Sequence, residues 1–212
     1  EYRGKGISHK MMSHLHQQLQ EQGVVLSCLV PASTSLFEFY GGQGFEPFFS
    51  YRLVEVQADA IKDLPQGEEV VLAPASLKEL EPLRNRVFSR GSLFGAWDAG
   101  YLEFAQEDNT FYAGETLGFC CRGQEGYAVC QIRDQHVLVV REVVVDRQDV
   151  GSLLAALHRR FGAKRYQLRF PVDFCCELPG KDIPFAVINW YDKTHRQSMP
   201  GHPGQAPWFA FG

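Results

Sequence analysis

Ile7, Met11, Leu15 and Leu19 recur every four residues between Gly6 and Gly23. That spacing predicts a helix over 7–22 with one apolar face, and Gly23 stands where helices commonly end on a left-handed residue. Residues 24–30 form a nearly continuous apolar run, as a buried strand requires, and Pro31 stops it. A short aromatic-rich helix is predicted over 34–40. Gly41, Gly42 and Gly44 interrupt the chain, and a strand is predicted over 45–56, carrying Phe48, Phe49 and Tyr51.

Residues 57–67 contain Asp59, Asp63, Pro65 and Gly67, the best linker candidate in the chain. Beyond it the pattern predicts a strand at 70–72 and a helix over 76–90. In that helix Ser76 precedes Glu79 by three residues, the spacing of a capping box. A second helix is expected over 97–105. Strands follow at 115–122, 126–133 and 136–145, with turns at Gly123-Gln124 and Asp134-Gln135, which predicts an antiparallel meander. Val150, Leu153, Leu154, Leu157 and Phe161 place a helix over 149–161, ended by Gly162. The last strands are expected at 166–170 and 185–190. Beyond Asp192 the chain is rich in Pro and Gly and ends in the apolar run at 208–211. Both halves mix helices with strands, so the class is α/β with a mixed (α+β) sheet, and the similar element order suggests an internal duplication.

Composition narrows the options. The chain has 212 residues, 45% hydrophobic and 22% charged, which is ordinary for globular domains. Its net charge is −4, and no Lys/Arg block points to nucleic acid or an anionic membrane. No apolar run approaches the length of a membrane span. Cys28, Cys120, Cys121, Cys130, Cys175 and Cys176 make no CxxC pattern. Their apolar neighbours predict buried, reduced thiols and a cytoplasmic protein. His9, His14 and His16 do not form HExxH, so no metal is expected, and they are read as solvent-facing.

The chemistry is concentrated at the opening: Tyr2-Arg3-Gly4-Lys5-Gly6-Ile7-Ser8, running directly into a helix. The first N–H groups of a helix have no partner within it, and its dipole places partial positive charge there. Glycines let backbone approach a phosphate closely, and Arg3 and Lys5 add charge. The pattern suits a pyrophosphate, yet it is neither the P-loop nor GxGxxG. Downstream come Pro31-Ala32-Ser33, Phe39-Tyr40 and Gly44-Phe45-Glu46-Pro47.

In that order the motifs resemble motifs A and B of the GNAT (Gcn5-related N-acetyltransferase) superfamily over residues 1–56. The resemblance maps the pyrophosphate loop onto Arg3, Gly4, Lys5, Gly6, Ile7 and Ser8, with Ser8 in place of the usual Gly or Ala. It implies a GNAT-like acyl-CoA N-acyltransferase fold and acetyl-CoA as cosubstrate. It places the pantetheine arm beside the strand ending at Val30, near Ser33, and makes Tyr40 the general acid that protonates the departing thiolate. The carboxylate of Gly212, carried by the apolar tail, is a candidate base, as in some two-domain relatives.

The second half resembles the degenerate second domain of tandem, enhanced-intracellular-survival-like acetyltransferases. There Val145-Asp146-Arg147-Gln148-Asp149 replaces the phosphate loop without its glycines. The implied organisation is the C-terminal part of a GNAT domain over 1–56, a linker over 57–67 and a degenerate GNAT-like domain over 68–212. The N-terminal strands that precede the phosphate loop in the family are missing, so the chain is expected to be inactive alone or to borrow surface from a partner copy. The implied function is acetyl transfer from acetyl-CoA to a primary amine on a small acceptor. The alternative is a non-catalytic acyl-CoA-binding or assembly module. A third reading, an unrelated α/β binding protein, requires both motifs to be coincidence.

Overall fold

The computed structural model describes residues 4–89, 94–134, 136–174 and 176–198. The first half gives α1 (Ile7–Glu21), β1 (Leu26–Leu29), α2 (Thr34–Gly41) and β2 (Glu46–Gln57). A 3₁₀ helix, Ala58–Asp63, follows within the expected linker, and its Ile61 is buried. The second half gives β3 (Ala73–Pro74), α3 (Leu77–Phe88), α4 (Ala99–Phe111), β4 (Glu115–Cys121), β5 (Gln124–Arg133) and β6 (Val137–Val144). After a 3₁₀ turn, Arg147–Asp149, come α5 (Val150–Phe161), β7 (Arg165–Phe170), β8 (Gly180–Trp190) and α6 (Lys193–Ser198).

All eight strands lie in one sheet, ordered β1-β8-β2-β7-β6-β5-β4-β3. β8 inserts between β1 and β2, pairing Leu26 with Trp190 on one side and Arg52 with Asp182 on the other. The last described strand therefore completes the sheet of the first half. Every pairing is antiparallel except β6 with β7, which α5 connects as a parallel crossover. β4, β5 and β6 form the predicted meander. Its first turn has positive φ at both Arg122 (50°) and Gly123 (70°), the geometry that suits a two-residue hairpin.

Helix α5 buries Val150, Leu153, Leu154 and Leu157 against Val54, Leu138, Leu168 and Phe170. Each of its fully buried leucines contributes about 1.5–3 kcal/mol. α3 and α4 cover the other side of the second half through Leu77, Leu83, Phe88, Leu102 and Ala105 over Tyr127 and Val129. A smaller cluster of Phe49, Ala186, Ile188 and Trp190 lies where β8 meets the first half.

Several elements differ from the sequence pattern for identifiable reasons. The strand expected at 70–72 is displaced to the edge strand β3, where Pro74 costs no central hydrogen bond. α4 runs on to Phe111 through a polar stretch because Asn109 is buried, its side-chain amide donating to the Cys130 carbonyl at 3.5 Å. β8 begins at Gly180 rather than 185. It continues through Pro184, where its register against β2 shifts. The apolar face of α1 is not buried: Ile7, Met11 and Leu15 are 43%, 67% and 45% exposed. Of the thiols expected to be buried, Cys121 and Cys130 are, Cys28 and Cys176 are half-buried, and Cys120 is exposed at its strand position. Burial pushes the Cys28 thiol up to about 12. Cys175 lies outside the described residues.

Candidate active site

The turn before α1 has the backbone that a phosphate cradle needs. Gly4 and Gly6 are both left-handed, at φ +76° and +68°. A Cβ on either would meet nothing within 4 Å, so glycine is required there by conformation and not by space. Gly6 is the N-cap residue, and no side chain caps the helix. The first intrahelical bond is Lys10 N–H to the Gly6 carbonyl at 3.1 Å, which leaves the N–H groups of Ile7, Ser8 and His9 without helical partners. Lys5, Ile7 and Ser8 are exposed around this end. Arg3, expected to add a second charge, lies outside the described residues, as does Gly212.

Val30 is half-buried just after β1, and Pro31 behind it is buried. Ser33 is the N-cap residue of α2, yet its hydroxyl faces Ser35 Oγ at 3.0 Å instead of capping the helix. Tyr40 is half-buried on the last turn of α2, edge-on to Phe39 (5.2 Å between ring centres) and to Phe45 (5.8 Å). Its hydroxyl has no hydrogen-bond partner among the described residues.

Phe45 is buried and also packs against His16 of α1, 5.4 Å between ring centres. It thus links the two helices that carry the loop and Tyr40. His16 corrects the reading of the three histidines as solvent-facing. His9 and His14 are exposed, but His16 is half-buried, with Nδ1 2.6 Å from the Tyr191 hydroxyl. That hydroxyl is also 2.9 Å from Ser27 Oγ. The Tyr191 and Asp192 N–H groups donate to the Val25 carbonyl at 2.9 and 3.1 Å. The end of β8 is therefore tied to both α1 and β1. Nothing in the sequence pairs residue 16 with residue 191; only the insertion of β8 beside β1 brings them together.

The start of α5 has a different construction. β6 and β7 pair from Val137/Arg165 to Val140/Leu168 and no further, although both strands continue. A crossover helix and a parallel pair that parts beyond it make the layout of a cofactor cleft. The turn itself is closed, however. The Asp146 carboxylate accepts the Gln148 N–H at 3.1 Å, and buried Asp149 is ion-paired with Arg122. The chain segment before β3 lies across the helix end, with Gly67 N–H donating to Ser152 Oγ at 2.8 Å. A Cβ on Gly151 would stand 2.0 Å from the Pro65 carbonyl oxygen. A cavity of about 250 Å³ remains beside this contact, lined by Leu64, Pro65, Arg147, Val150, Cys176 and Leu178 among others.

A family model described as acetyltransferase (GNAT) domain matches residues 1–48. A GCN5-related N-acetyltransferase from Anabaena variabilis superposes with a TM-score of 0.68 at 19% identity, over 91% of this chain and 52% of that one. The fold is GNAT-like.

The same GNAT-like arrangement recurs in a probable N-acyltransferase from Enterococcus faecalis: TM-score 0.66, 17% identity, 89% of this chain and 51% of that one. Eis1 from Mycobacterium abscessus gives 0.60 at 12% identity, over 90% and 53%. This chain spans about half the length of these structures. No curated protein matches the sequence. Among the described residues no group of three or more His, Cys, Asp or Glu side chains could hold a metal ion, and no helix is long and apolar enough to cross a membrane.

Proposed function

We propose that this chain carries the acetyl-CoA site of an N-acetyltransferase that acts on a primary amine of a small acceptor. The observation that carries this reading is the uncapped α1 terminus behind two left-handed glycines, Gly4 and Gly6. The N–H groups of that turn, with Lys5 and Arg3, bind the cofactor's pyrophosphate. Ile7 and Ser8 form the first helical turn around it, and Val30 and Ser33 flank the pantetheine arm beyond β1. Attack by the amine on the thioester carbonyl forms the amide bond and breaks the carbon–sulfur bond. Tyr40, whose hydroxyl has no partner among the described residues, donates the proton that the departing thiolate takes up. In the same reading the chain is organised as the end of a first GNAT domain (1–56), a connection (57–67) and a second domain (68–212) that has given up cofactor binding. Its helix end is occupied by Pro65 and Gly67 and by Asp146 and Asp149.

Calorimetric titration with acetyl-CoA tests the proposal. One cofactor should bind per chain, and Gly6→Glu should abolish binding by setting a carboxylate in the anion site. No binding by a folded wild-type chain, or equal binding by the variant, would reject it. In a CoA-release assay Tyr40→Phe should lower kcat roughly a hundredfold with cofactor affinity unchanged.

A further inference from the structure

The cavity of about 250 Å³ beside α5 is apolar inside and charged at its rim. Leu64, Pro65, Val150 and Leu178 supply apolar wall. Val150 belongs to the main core, and Leu64 and Leu178 pack against it, so these walls are rooted in the buried part of the fold. The rim carries one cation and one anion, Arg147 and Glu177. Arg147 comes from the 3₁₀ turn in which Asp146 accepts the Gln148 N–H. Glu177 comes from the connection between β7 and β8, where Phe174 stacks on Phe170 with 4.3 Å between ring centres.

Both charged side chains are exposed. Neither makes a hydrogen bond or ion pair with a described residue, and they do not pair with each other. Two opposite charges, brought to one cavity by separate segments and each without a partner there, fit a ligand that carries both signs. Glu177 opposes a purely anionic ligand, and Arg147 opposes a purely cationic one. The apolar walls ask that the rest of the ligand be hydrocarbon. The volume lies below the roughly 300–1,000 Å³ of drug-sized sites, so the ligand is small. An α-amino acid with an apolar side chain meets all three demands.

We propose that this cavity binds a small apolar α-amino acid, with Arg147 holding the carboxylate, Glu177 the ammonium and the apolar walls the side chain. The site shares no residue with the α1 turn and does not rest on the reading of that turn. The test follows thermal unfolding of the full chain against increasing L-leucine, without acetyl-CoA and at matched ionic strength. Bound ligand stabilises the folded chain, so leucine should raise the midpoint and glycine, which lacks the side chain, should do so far less. Isocaproate is leucine without its ammonium, and isoamylamine is leucine without its carboxylate. Each should be needed at roughly tenfold higher concentration than leucine, the loss of one charge-assisted contact. Arg147→Gln should weaken the response to leucine and isocaproate roughly tenfold and leave that to isoamylamine unchanged. Glu177→Gln should weaken the response to leucine and isoamylamine and leave that to isocaproate unchanged. Both residues are exposed and without partners, so neither substitution should move the midpoint in the absence of ligand. Leucine bound elsewhere, as an amine acceptor beside α1 for example, would be indifferent to both substitutions. The proposal is overturned if leucine does no more than glycine, or if either substitution leaves the leucine response unchanged.

Discussion

The two helix openings at α1 and α5 resolve the same physical problem in opposite ways. Each helix ends on a left-handed glycine, Gly23 at φ 75° and Gly162 at 59°, and each begins with N–H groups that the helix cannot satisfy. At α1 none of the described residues answers them: no side chain caps the turn, and none of the helix's residues is buried. At α5 the chain closes the opening itself: in the 3₁₀ turn before the helix Asp146 accepts the Gln148 N–H, residues 65–67 pack across the first turn, with Gly67 N–H donating to Ser152 Oγ, and seven helix residues are buried. An opening that stays available to a ligand forgoes the packing that would stabilise it. An opening closed by its own chain becomes part of a core.

The largest expected effect tests how firmly the closed half is held. Arg84 donates from Nε and Nη2 to Glu142 at 3.1 and 3.3 Å, and from Nη1 to the Gly95 carbonyl at 2.7 Å. The Tyr127 hydroxyl donates to the same carboxylate at 2.5 Å, and all three side chains are buried. Glu142→Ala leaves a guanidinium buried without its counter-charge and should cost about 3–5 kcal/mol in denaturant unfolding. The counterpart in the open half is the half-buried Tyr191 hydroxyl contact with His16 and Ser27, where Tyr191→Phe should cost about 1 kcal/mol. Equal losses would mean that the halves are held alike and that the contrast is only local.

Much of this contrast was legible in the sequence, though unevenly. The 3.6-residue period of Val150, Leu153, Leu154 and Leu157 and the glycines around α1 are local signals, and both helices lie within a residue or two of their expected bounds. The sequence also places Asp146 and Asp149, and no glycine, at the turn before α5. That Pro65 and Gly67 would close it was not legible, because it depends on contacts across about 85 residues of chain. The same is true of β8. Its place between β1 and β2, and with it the His16–Tyr191–Ser27 contact, is a long-range choice that no local pattern encodes. Burial of Arg84 and Glu142 could not be read either, since charged residues at helix and strand spacing are ordinarily solvated.

A smaller effect separates the two glycines. Gly151→Ala forces a methyl to within 2.0 Å of the Pro65 carbonyl oxygen, so backbone must move, at a cost of roughly 1–3 kcal/mol. Gly6→Ala meets no atom and pays only for its left-handed conformation, about 1–2 kcal/mol. The functional order should be the reverse. Gly6→Ala should weaken acetyl-CoA binding, because the turn relaxes and its N–H groups turn away, while Gly151→Ala should leave affinity unchanged. If Gly151→Ala also weakens binding, the two openings are coupled through the shared sheet.

The smallest effect concerns the segment that follows Tyr191. Asp192 accepts from the Thr194 hydroxyl at 2.6 Å and from its N–H at 2.8 Å, and lies 2.8 Å from His195 Nδ1. The Thr194 hydroxyl, then its N–H, then the His195 contact hold this carboxyl down from 3.8 to about 2. A depressed folded-state value stabilises the ionised form, so the contribution is complete above pH about 4 and is lost as pH falls through about 2. The group is on the surface, so the loss should fray α6 without unfolding the sheet. A carbon-detected titration of the Asp192 carboxyl should give a midpoint near 2, with the Thr194 amide shifting in step. A midpoint near 3.8 would show that the cap is not formed in solution. The end of β8 would still be fastened to the open half by its ladder with β1, by the Val25 carbonyl and by the Tyr191 hydroxyl.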